Sequence, residues 1–188
     1  MITFYLVRHG EAENNVRFIL NSLPENKTYS LTERGKEQVV ETAQFLVTVG
    51  ADAMFSSPIL RAKETAEIIA RVTGLSVEFD ERLCEAGMGV FNGKMQQELL
   101  KKYPTAATRI SPDGIDGVES FIDMRGRLKS FLDDVQEKYS GKKVIIVSHG
   151  DPLEQLHGIL TNEAPGQSAT GWYPDKGSYT EVIWREGS

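Results

Sequence analysis

The sequence predicts an α/β protein, a three-layer α/β/α sandwich whose central sheet is mainly parallel. Two almost continuously apolar runs, Ile2–Val7 and Lys143–Val147, are typical of strands buried on both faces of a parallel sheet. Segments with helical spacing of apolar residues lie between the candidate strands, as in βα units. At roughly 150 residues per domain, the 188 residues predict a single domain spanning residues 1–188.

Three shorter runs complete the predicted strands: Ala53–Ser56, Ser76–Phe79 and Tyr179–Trp184. Four segments have the spacing of amphipathic helices. Thr32 is a candidate N-cap for the first, while Pro58 suits the first turn of the second and Gly74 suits its end. In chain order, the apolar positions of the first helix are Val39, Ala43, Leu46 and Val47, and those of the second are Ala62, Ala66, Ile69 and Ala70. Those of the third, the longest helix, are Phe121, Met124, Leu128, Phe131, Leu132 and Val135, and those of the fourth are Leu153, Leu156 and Leu160.

Three long stretches read as loops: Glu11–Leu31, Pro104–Val118 and Thr161–Ser178. Structureless loops above about 12–15 residues are uncommon in compact domains and tend to be functional. We therefore expect these loops to set specificity, the last one through Trp172 and Tyr173. The insertion at about 95–118 is predicted to be a short lid rather than a second domain.

The composition excludes several classes of protein. Hydrophobic residues make up 40% and charged residues 26%, which is typical of a globular domain and not of a disordered chain. The net charge of −6 and the pI near 5.2 argue against a general nucleic-acid binder. A single cysteine, Cys84, predicts a reducing compartment.

No stretch approaches the roughly 20 apolar residues of a membrane span, and Ile2–Val7 is too short for a signal sequence. We therefore expect a soluble, cytoplasmic protein with neither nucleic acid nor membrane as partner. The sequence does not set the oligomeric state, although an exposed edge strand would permit a homodimer.

Charged and imidazole side chains follow the predicted strands at their carboxyl ends, where open α/β sheets bind ligands. Val7 runs into Arg8-His9-Gly10-Glu11 and Val147 into Ser148-His149-Gly150. Arg61 follows the predicted strand Ala53–Ser56, and Glu85 follows Ser76–Phe79. The residues expected in one crevice are Arg8, His9, Arg61, Glu85 and His149. Two guanidinium and two imidazole groups around one point suit a phosphoryl group.

At these residues the sequence resembles the histidine phosphatase superfamily (phosphoglycerate mutase-like). The matching blocks, in the family's order over about residues 1–160, are Arg8-His9-Gly10-Glu11 with Asn15; Leu31-Thr32-Glu33-Arg34-Gly35 with Gln38; Ser56-Ser57-Pro58-Ile59-Leu60-Arg61-Ala62 with Thr65-Ala66; Leu83-Cys84-Glu85 with Gly89 and Gly93; Gly117-Val118-Glu119-Ser120 with Arg127; and Ser148-His149-Gly150. The resemblance implies the phosphoglycerate mutase-like fold.

The resemblance also implies roles that agree with the chemistry of the residues. His9 is expected to be the nucleophile that carries the phosphoryl group, and Glu85 the general acid and base. Arg8, Arg61 and His149 would stabilise the transferring group, with Asn15 and Gly150 as further phosphate-binding residues. Because the arginines supply positive charge, no metal or other cofactor is expected.

These residues predict a phosphomonoesterase acting on a small phosphorylated metabolite. A phosphoglycerate mutase-type phosphotransferase remains the alternative enzyme, since both activities share the phosphohistidine. The short insertion, whose cations are Lys101, Lys102 and Arg109, favours water as the final acceptor. A catalytically silent binding protein of the same fold is the third hypothesis.

Other residues have simpler interpretations. His157 is expected to pack or lie at a rim, Cys84 to be a small buried residue, and Arg127 to anchor the lid segment or Glu119. Glu11 is expected to support the site and Arg17 to be solvated.

The pairs His9/Glu11 and His149/Asp151 lack the cysteines and the helical His spacing of a metal site. Asp151 would place negative charge near the rim of the pocket. It is expected there to disfavour heavily anionic substrates or to orient a hydroxyl.

Overall fold

The computed structural model describes residues 1–111, 114–165 and 171–185. Two predicted loops are covered only in part, because residues 112–113 and 166–170 lie outside the described residues. The elements are β1 (Ile2–Arg8), α1 (Glu13–Val16), α2 (Glu33–Val49), β2 (Ala53–Ser56), α3 (Leu60–Thr73), β3 (Val77–Phe79), α4 (Gln96–Lys102), α5 (Phe121–Tyr139), β4 (Lys143–Ser148), α6 (Gly150–Leu160) and β5 (Tyr179–Trp184).

Over the described ranges, five strands form one sheet in the order β3-β2-β4-β1-β5. The pairs β1/β4, β2/β4 and β2/β3 are parallel, and only β5 is antiparallel, to β1. The predicted, mainly parallel sheet is confirmed. β1 and β4 pair in register with Arg8 opposite Ser148, so both strands end at the same level beside His9 and His149.

Alternate residues of β1 enter two separate cores, which makes the architecture three-layered. Ile2, Phe4 and Leu6 pack with apolar residues of α5 and α6, whereas Tyr5 and Val7 pack with those of α2 and α3. This follows from the period of two in a strand, which sends successive side chains to opposite faces. The predicted α/β/α sandwich is therefore confirmed.

The predicted helices form, with one correction at an end. Thr32 caps α2 by accepting a hydrogen bond from Gly35 N at 3.0 Å, and Gly74 ends α3 in the left-handed region with φ 75°. Pro58 was predicted in the first turn of α3, which is wrong. Ile59 is still extended (φ −60°, ψ 132°) and donates its N–H to Ser57 Oγ at 3.3 Å, so the helix begins only at Leu60.

Short helices interrupt the predicted loops. α1 lies within Glu11–Leu31, and a 3₁₀ turn forms at Ala106–Arg109 within Pro104–Val118. Another 3₁₀ turn forms at Gly89–Phe91, before the insertion. The insertion predicted as a lid contains α4, and the main chain joins it to the first loop through an antiparallel bridge between Ile19 and Met95. Along the described ranges, none of the helices is both long and apolar enough to cross a membrane.

The loop after β1 is held by a close backbone approach that requires glycine. A Cβ on Gly10 would lie 2.3 Å from the carbonyl oxygen of Gly35 in the first turn of α2. Gly10 N also donates to Thr65 Oγ1 of α3 at 3.2 Å. The residue after His9 is thereby fixed between two helices.

Candidate active site

The structure brings the five residues predicted to share a crevice together at the carboxyl ends of the strands. Arg8, His9, Arg61 and Glu85 line a cavity of about 360 Å³. His149 is fully buried beside it, and its ring centroid lies 5.1 Å from that of His9 in an edge-on arrangement. Two guanidinium groups, an imidazole and a carboxyl group thus line one cavity.

His9 is held as a neutral imidazole with one nitrogen available as an acceptor. Its Nδ1 lies 2.7 Å from Gly10 O, and since a carbonyl only accepts, Nδ1 carries the proton. Nε2 keeps its lone pair and accepts a hydrogen bond from Arg61 Nε at 3.1 Å. Burial, followed by the charges of Arg61 and Arg8, lowers the pKa of His9 well below its usual value. Nε2 is therefore suited to nucleophilic attack.

Arg61 lies on the first turn of α3 and is almost completely buried. Its Nη1 donates to Asn21 Oδ1 at 2.7 Å and its Nη2 to Asn21 O at 3.0 Å. Our sequence analysis missed Asn21, because a single asparagine in a long loop has no periodic signal. Its contribution becomes visible only when the loop folds over α3.

His149 caps the start of α6 at the end of β4. Its Nε2 lies 2.8 Å from Ser57 Oγ, and its Nδ1 is buried with no hydrogen-bond partner among the described residues. Burial and the neighbouring charge of Arg61 lower the pKa of His149 well below its usual value, so the ring is neutral. When the Ser57 hydroxyl donates a hydrogen bond to Nε2, the single ring proton of the neutral imidazole is on Nδ1, which is then a hydrogen-bond donor.

Arg8 is positioned by the loop that precedes β5. Its Nη1 donates to Pro174 O at 2.7 Å, and its guanidinium carbon lies 5.1 Å from the centroid of the Tyr173 ring. Its Nε is buried without a partner in the described parts of the chain. The Arg8 guanidinium is thus fixed through Nη1 while the N–H of Nε has no acceptor among the residues that the structure describes. Such a group is suited to binding an anion.

Glu85 follows the short 3₁₀ turn at Glu81–Leu83 and faces the cavity. Burial and the nearby Asp151 raise the pKa of Glu85 to about 7, against the opposing effect of Arg61. Its Oε1 accepts a hydrogen bond from Ala86 N at 2.9 Å. A carboxyl group with a pKa near neutrality is suited to both giving and taking a proton.

The loop that carries Glu85 is fixed by a carboxylate and an arginine behind it. Glu119 accepts two hydrogen bonds from Arg127, at 2.7 and 2.9 Å, and one from Gly87 N at 3.0 Å. The predicted anchoring role of Arg127 agrees with this contact. Arg127 therefore supports the main chain next to Glu85 and binds Glu119 in a two-pronged ion pair.

An ion pair between the lid and α6 forms another part of the cavity wall. Arg109 Nη1 donates to Asp151 Oδ2 at 2.6 Å, and Tyr173 Oη donates to Asp151 Oδ1 at 3.1 Å. Arg109 also lies over the ring of Phe121, 4.8 Å from its centroid. Sequence analysis treated Arg109 only as one of three cations in the insertion, because its partner is 42 residues away.

The two further residues predicted to bind phosphate have different surroundings. Asn15 lines the cavity, and its Oδ1 accepts from Ala12 N at 3.0 Å, which leaves the amide nitrogen as the donor toward a ligand. Gly150 begins α6, where a Cβ would lie 2.0 Å from Tyr173 Oη. A side chain at this position would therefore have to displace the Tyr173 ring.

The remaining residues lie outside the catalytic cluster. His157 stacks on Trp172 with the centroids 4.3 Å apart, and Cys84 is buried. Glu11 Oε1 accepts a hydrogen bond from Thr32 Oγ1 at 2.9 Å, while Arg17 is exposed. Within the described ranges, no group of three or more His, Cys, Asp or Glu side chains is arranged to hold a metal ion.

Two curated proteins are similar to this chain over most of its length. Phosphoserine phosphatase 1 of Hydrogenobacter thermophilus is 32% identical over 164 residues, which cover 85% of this chain and 76% of the relative. A probable phosphoglycerate mutase GpmB of Salmonella paratyphi C is 31% identical over 157 residues, covering 81% of this chain and 72% of the relative.

Solved structures share the fold. YhfR of Bacillus stearothermophilus has a TM-score of 0.85 at 27% identity and covers 100% of this chain and 94% of its own. A mycobacterial glucosyl-3-phosphoglycerate phosphatase has a TM-score of 0.79 at 23% identity, covering 95% of this chain and 88% of its own.

The two named relatives above 30% identity are a phosphatase and a probable mutase, which supports an activity on phosphoesters, either phosphatase or phosphotransferase. The family model of the histidine phosphatase superfamily (branch 1) matches residues 4–188. The match covers nearly the whole chain and all the blocks that carry the resemblance in the sequence. The chain belongs to the histidine phosphatase superfamily.

Proposed function

We propose that this protein is a phosphomonoesterase that hydrolyses a small phosphorylated metabolite through a phosphohistidine on Nε2 of His9. The observation that carries the proposal is the contact of His9 Nδ1 with Gly10 O at 2.7 Å. It directs the lone pair of Nε2 toward the guanidinium of Arg61, where a phosphoryl group would be bound. A nucleophile held neutral and facing a cation is prepared for attack on an anionic ester.

In the first step, Nε2 of His9 forms a bond to phosphorus while the bond from phosphorus to the ester oxygen breaks. Glu85 donates its proton to the departing ester oxygen. The leaving group is thereby released as an alcohol, and Glu85 becomes a carboxylate. Arg8, Arg61 and His149 stabilise the negative charge on the non-bridging oxygens of the transition state. Asn15 adds a neutral amide donor.

In the second step, water attacks phosphorus and Glu85 removes its proton. The bond between phosphorus and nitrogen breaks, its electron pair returns to Nε2, and inorganic phosphate is released. Both steps use one carboxyl group in opposite protonation states, so a pKa of Glu85 at about 7 allows it to act in each. The arginines provide the positive charge, so the proposed reaction uses no metal ion.

The alternative enzyme is a phosphoglycerate mutase-type phosphotransferase, which one named relative supports. The charge of the lid favours water as the acceptor instead. Arg109 is paired with Asp151 at 2.6 Å, so the lid adds little uncompensated positive charge for a second anionic group such as the carboxylate of a sugar acid. A catalytically silent binding protein is less favoured, because competent residue types occupy all five proposed catalytic positions.

The test combines turnover with detection of the intermediate. We expect the wild-type protein to hydrolyse p-nitrophenyl phosphate in the presence of a chelator, and intact-mass spectrometry of a rapidly quenched reaction to show one added phosphoryl group. His9→Ala should abolish both signals, whereas His157→Ala, which changes the histidine outside the cavity, should retain them. Equal trace rates in wild type and His9→Ala would support the silent binding protein.

A second assay separates the two enzymes. A phosphate-release screen over sugar phosphates, phosphoglycerates, phosphoserine and nucleotides should identify esters that are hydrolysed without a bisphosphate. Incubation of 3-phosphoglycerate with and without 2,3-bisphosphoglycerate tests the mutase. Isomerisation that depends on the bisphosphate and exceeds phosphate release would overturn the phosphatase proposal.

A further inference from the structure

One wall of the active-site cavity is apolar. The residues that form it are Phe18, Ile19, Leu20, Met88, Leu99 and Leu100, and we refer to them as the apolar wall. Phe18 is 63% exposed and Leu100 is 45% exposed, although both line the cavity that contains His9. Exposed large apolar side chains that gather at one cavity, rather than lying scattered, indicate a binding surface.

Apart from Met88, the apolar wall is built from two segments that main-chain hydrogen bonds join. Gln96 N, at the start of α4, donates to Phe18 O at 2.8 Å, and Leu20 N donates to Lys94 O at 2.8 Å. These hydrogen bonds fix the loop after α1 to the beginning of the lid. The side chains of both segments therefore face the cavity as one surface.

Phe18 is held in an unfavourable backbone conformation. Its φ of 55° lies in the left-handed region, which bulky residues seldom adopt because Cβ crowds the following carbonyl. The turn that ends α1 holds this conformation, with Ile19 N donating to Asn14 O at 2.9 Å. The turn leaves the Phe18 ring exposed at the cavity, where a ligand can contact it.

The polar part of the cavity is consistent with an uncharged leaving group. Arg109 is neutralised by Asp151, and Tyr173 donates to the same carboxylate. The positive charges of Arg61, Arg8 and Lys176 lie close enough to His9 to lower its pKa, and the phosphoryl group is proposed to bind there. The charge is thus concentrated at the phosphoryl position, and the apolar wall provides the contact surface for the rest of the substrate.

We infer that the apolar wall binds the carbon skeleton of the leaving group, so that this protein prefers phosphomonoesters of alcohols that carry an aliphatic or aromatic portion. The inference rests on the proposed phosphatase function and names its substrate class. Phe18 is then a specificity-determining residue that touches substrate. Its contact is made to the leaving group and not to the phosphoryl group.

The experiment compares n-hexyl phosphate with glycerol 3-phosphate, two alkyl esters whose leaving groups differ in apolar surface: a six-carbon chain without further hydroxyls against a three-carbon chain with two. We expect wild type to have the higher kcat/KM for n-hexyl phosphate. Phe18→Asn keeps a residue that tolerates positive φ but removes the apolar surface, whereas Phe18→Leu keeps an apolar surface. Phe79→Ala removes an exposed phenylalanine of β3 that does not line this cavity, and it serves as the matched control.

Phe18→Asn should lower kcat/KM for n-hexyl phosphate about tenfold, the loss expected for one apolar contact, and change that for glycerol 3-phosphate less than about twofold. Phe18→Leu should remain within about threefold of wild type for both, and Phe79→Ala should match wild type. Equal losses on both esters with Phe18→Asn, or no loss on either, would overturn the inference. So would a wild-type preference for glycerol 3-phosphate.

Hydrolysis of p-nitrophenyl phosphate separates failure of the inference from failure of the proposed function. If wild type hydrolyses this ester and His9→Ala does not, the phosphatase proposal stands whatever Phe18 does. If wild type hydrolyses none of the three esters, the phosphatase proposal is overturned and the inference with it.

Discussion

Asn21 binds the guanidinium of Arg61 through two different oxygens. Its Oδ1 accepts from Nη1 at 2.7 Å and its main-chain carbonyl accepts from Nη2 at 3.0 Å. These contacts leave Nε of Arg61 to approach Nε2 of His9. A loop residue thus sets the orientation of the arginine proposed to bind the phosphoryl group.

We therefore expect Asn21→Ala to lower kcat/KM by about tenfold to hundredfold, because small displacements of a positioning group are costly to catalysis. Asn26→Ala, which changes an exposed amide in the same loop, is the control. Circular dichroism should show both variants folded. Wild-type kinetics for Asn21→Ala would show that Arg61 is oriented without it.

The role of Glu85 predicts a dependence on the leaving group. Glu85→Gln cannot donate a proton, so it should lower kcat/KM for an alkyl phosphate by about 10²–10⁴-fold. The loss should be much smaller for p-nitrophenyl phosphate, whose leaving group departs without protonation. Equal losses on both esters would contradict the role of Glu85 as general acid.

The same residue predicts the pH profile. With the pKa of Glu85 raised to about 7 by burial and Asp151, the protonated acid is lost as the pH rises through that value. The pKa of His9 lies well below its usual value, so the nucleophile stays neutral throughout. We expect kcat/KM for an alkyl phosphate to fall above about pH 7 in wild type. The profile of Glu85→Gln on p-nitrophenyl phosphate, which reports ionisation of the substrate, should lack this step.

The raised pKa of Glu85 also has a stability consequence. A carboxyl group whose pKa is higher in the folded than in the unfolded state destabilises the fold as the pH rises, since the unfolded chain then loses its proton first. Glu85→Gln should raise the free energy of unfolding by about 1–3 kcal/mol at pH 8 and by much less at pH 5. Denaturant titrations at the two pH values measure the difference, and an equal change at both would contradict it.

The ion pair between Asp151 and Arg109 predicts a change of substrate preference. Asp151→Asn removes the carboxylate charge and leaves the Arg109 guanidinium uncompensated beside the cavity. The kcat/KM for 3-phosphoglycerate, divided by the kcat/KM for glycerol 3-phosphate, should therefore increase, by up to about tenfold. Adding Arg109→Met should reverse the increase. An unchanged ratio in Asp151→Asn would show that neither charge reaches the substrate.

The contact between Gly150 and Tyr173 predicts a non-additive pair of substitutions. A Cβ at residue 150 would overlap Tyr173 Oη, so Gly150→Ala should lower stability by about 1–3 kcal/mol. In a Tyr173→Ala background the same substitution should cost much less, because the clashing ring is gone. Thermal unfolding of the four proteins completes the cycle, and equal costs in both backgrounds would contradict the packing explanation.

Local patterns in the sequence determined the elements of this fold. Continuously apolar runs such as Ile2–Val7 predicted all five strands to within one residue at each end. Helical spacing of apolar residues predicted where the four main helices lie, because burial of one face leaves a period in the chain. Pro58 shows the limit of such rules. It was placed in the first turn of α3, but the hydroxyl of Ser57 holds Ile59 extended and delays the helix.

The crevice itself was predictable because parallel strands share one carboxyl edge, which gathers Arg8, His9, Arg61, Glu85 and His149. Their catalytic roles remain predictions. Only the tertiary structure placed Asn21 against Arg61, Arg109 against Asp151, and Phe18 in the cavity wall. These contacts join residues of irregular segments to distant parts of the chain, and irregular segments have no period from which a partner could be inferred. The sequence by itself thus determined the fold class and the chemistry of the phosphoryl position, whereas the surroundings of the leaving group were decided by how the loops fold over the sheet.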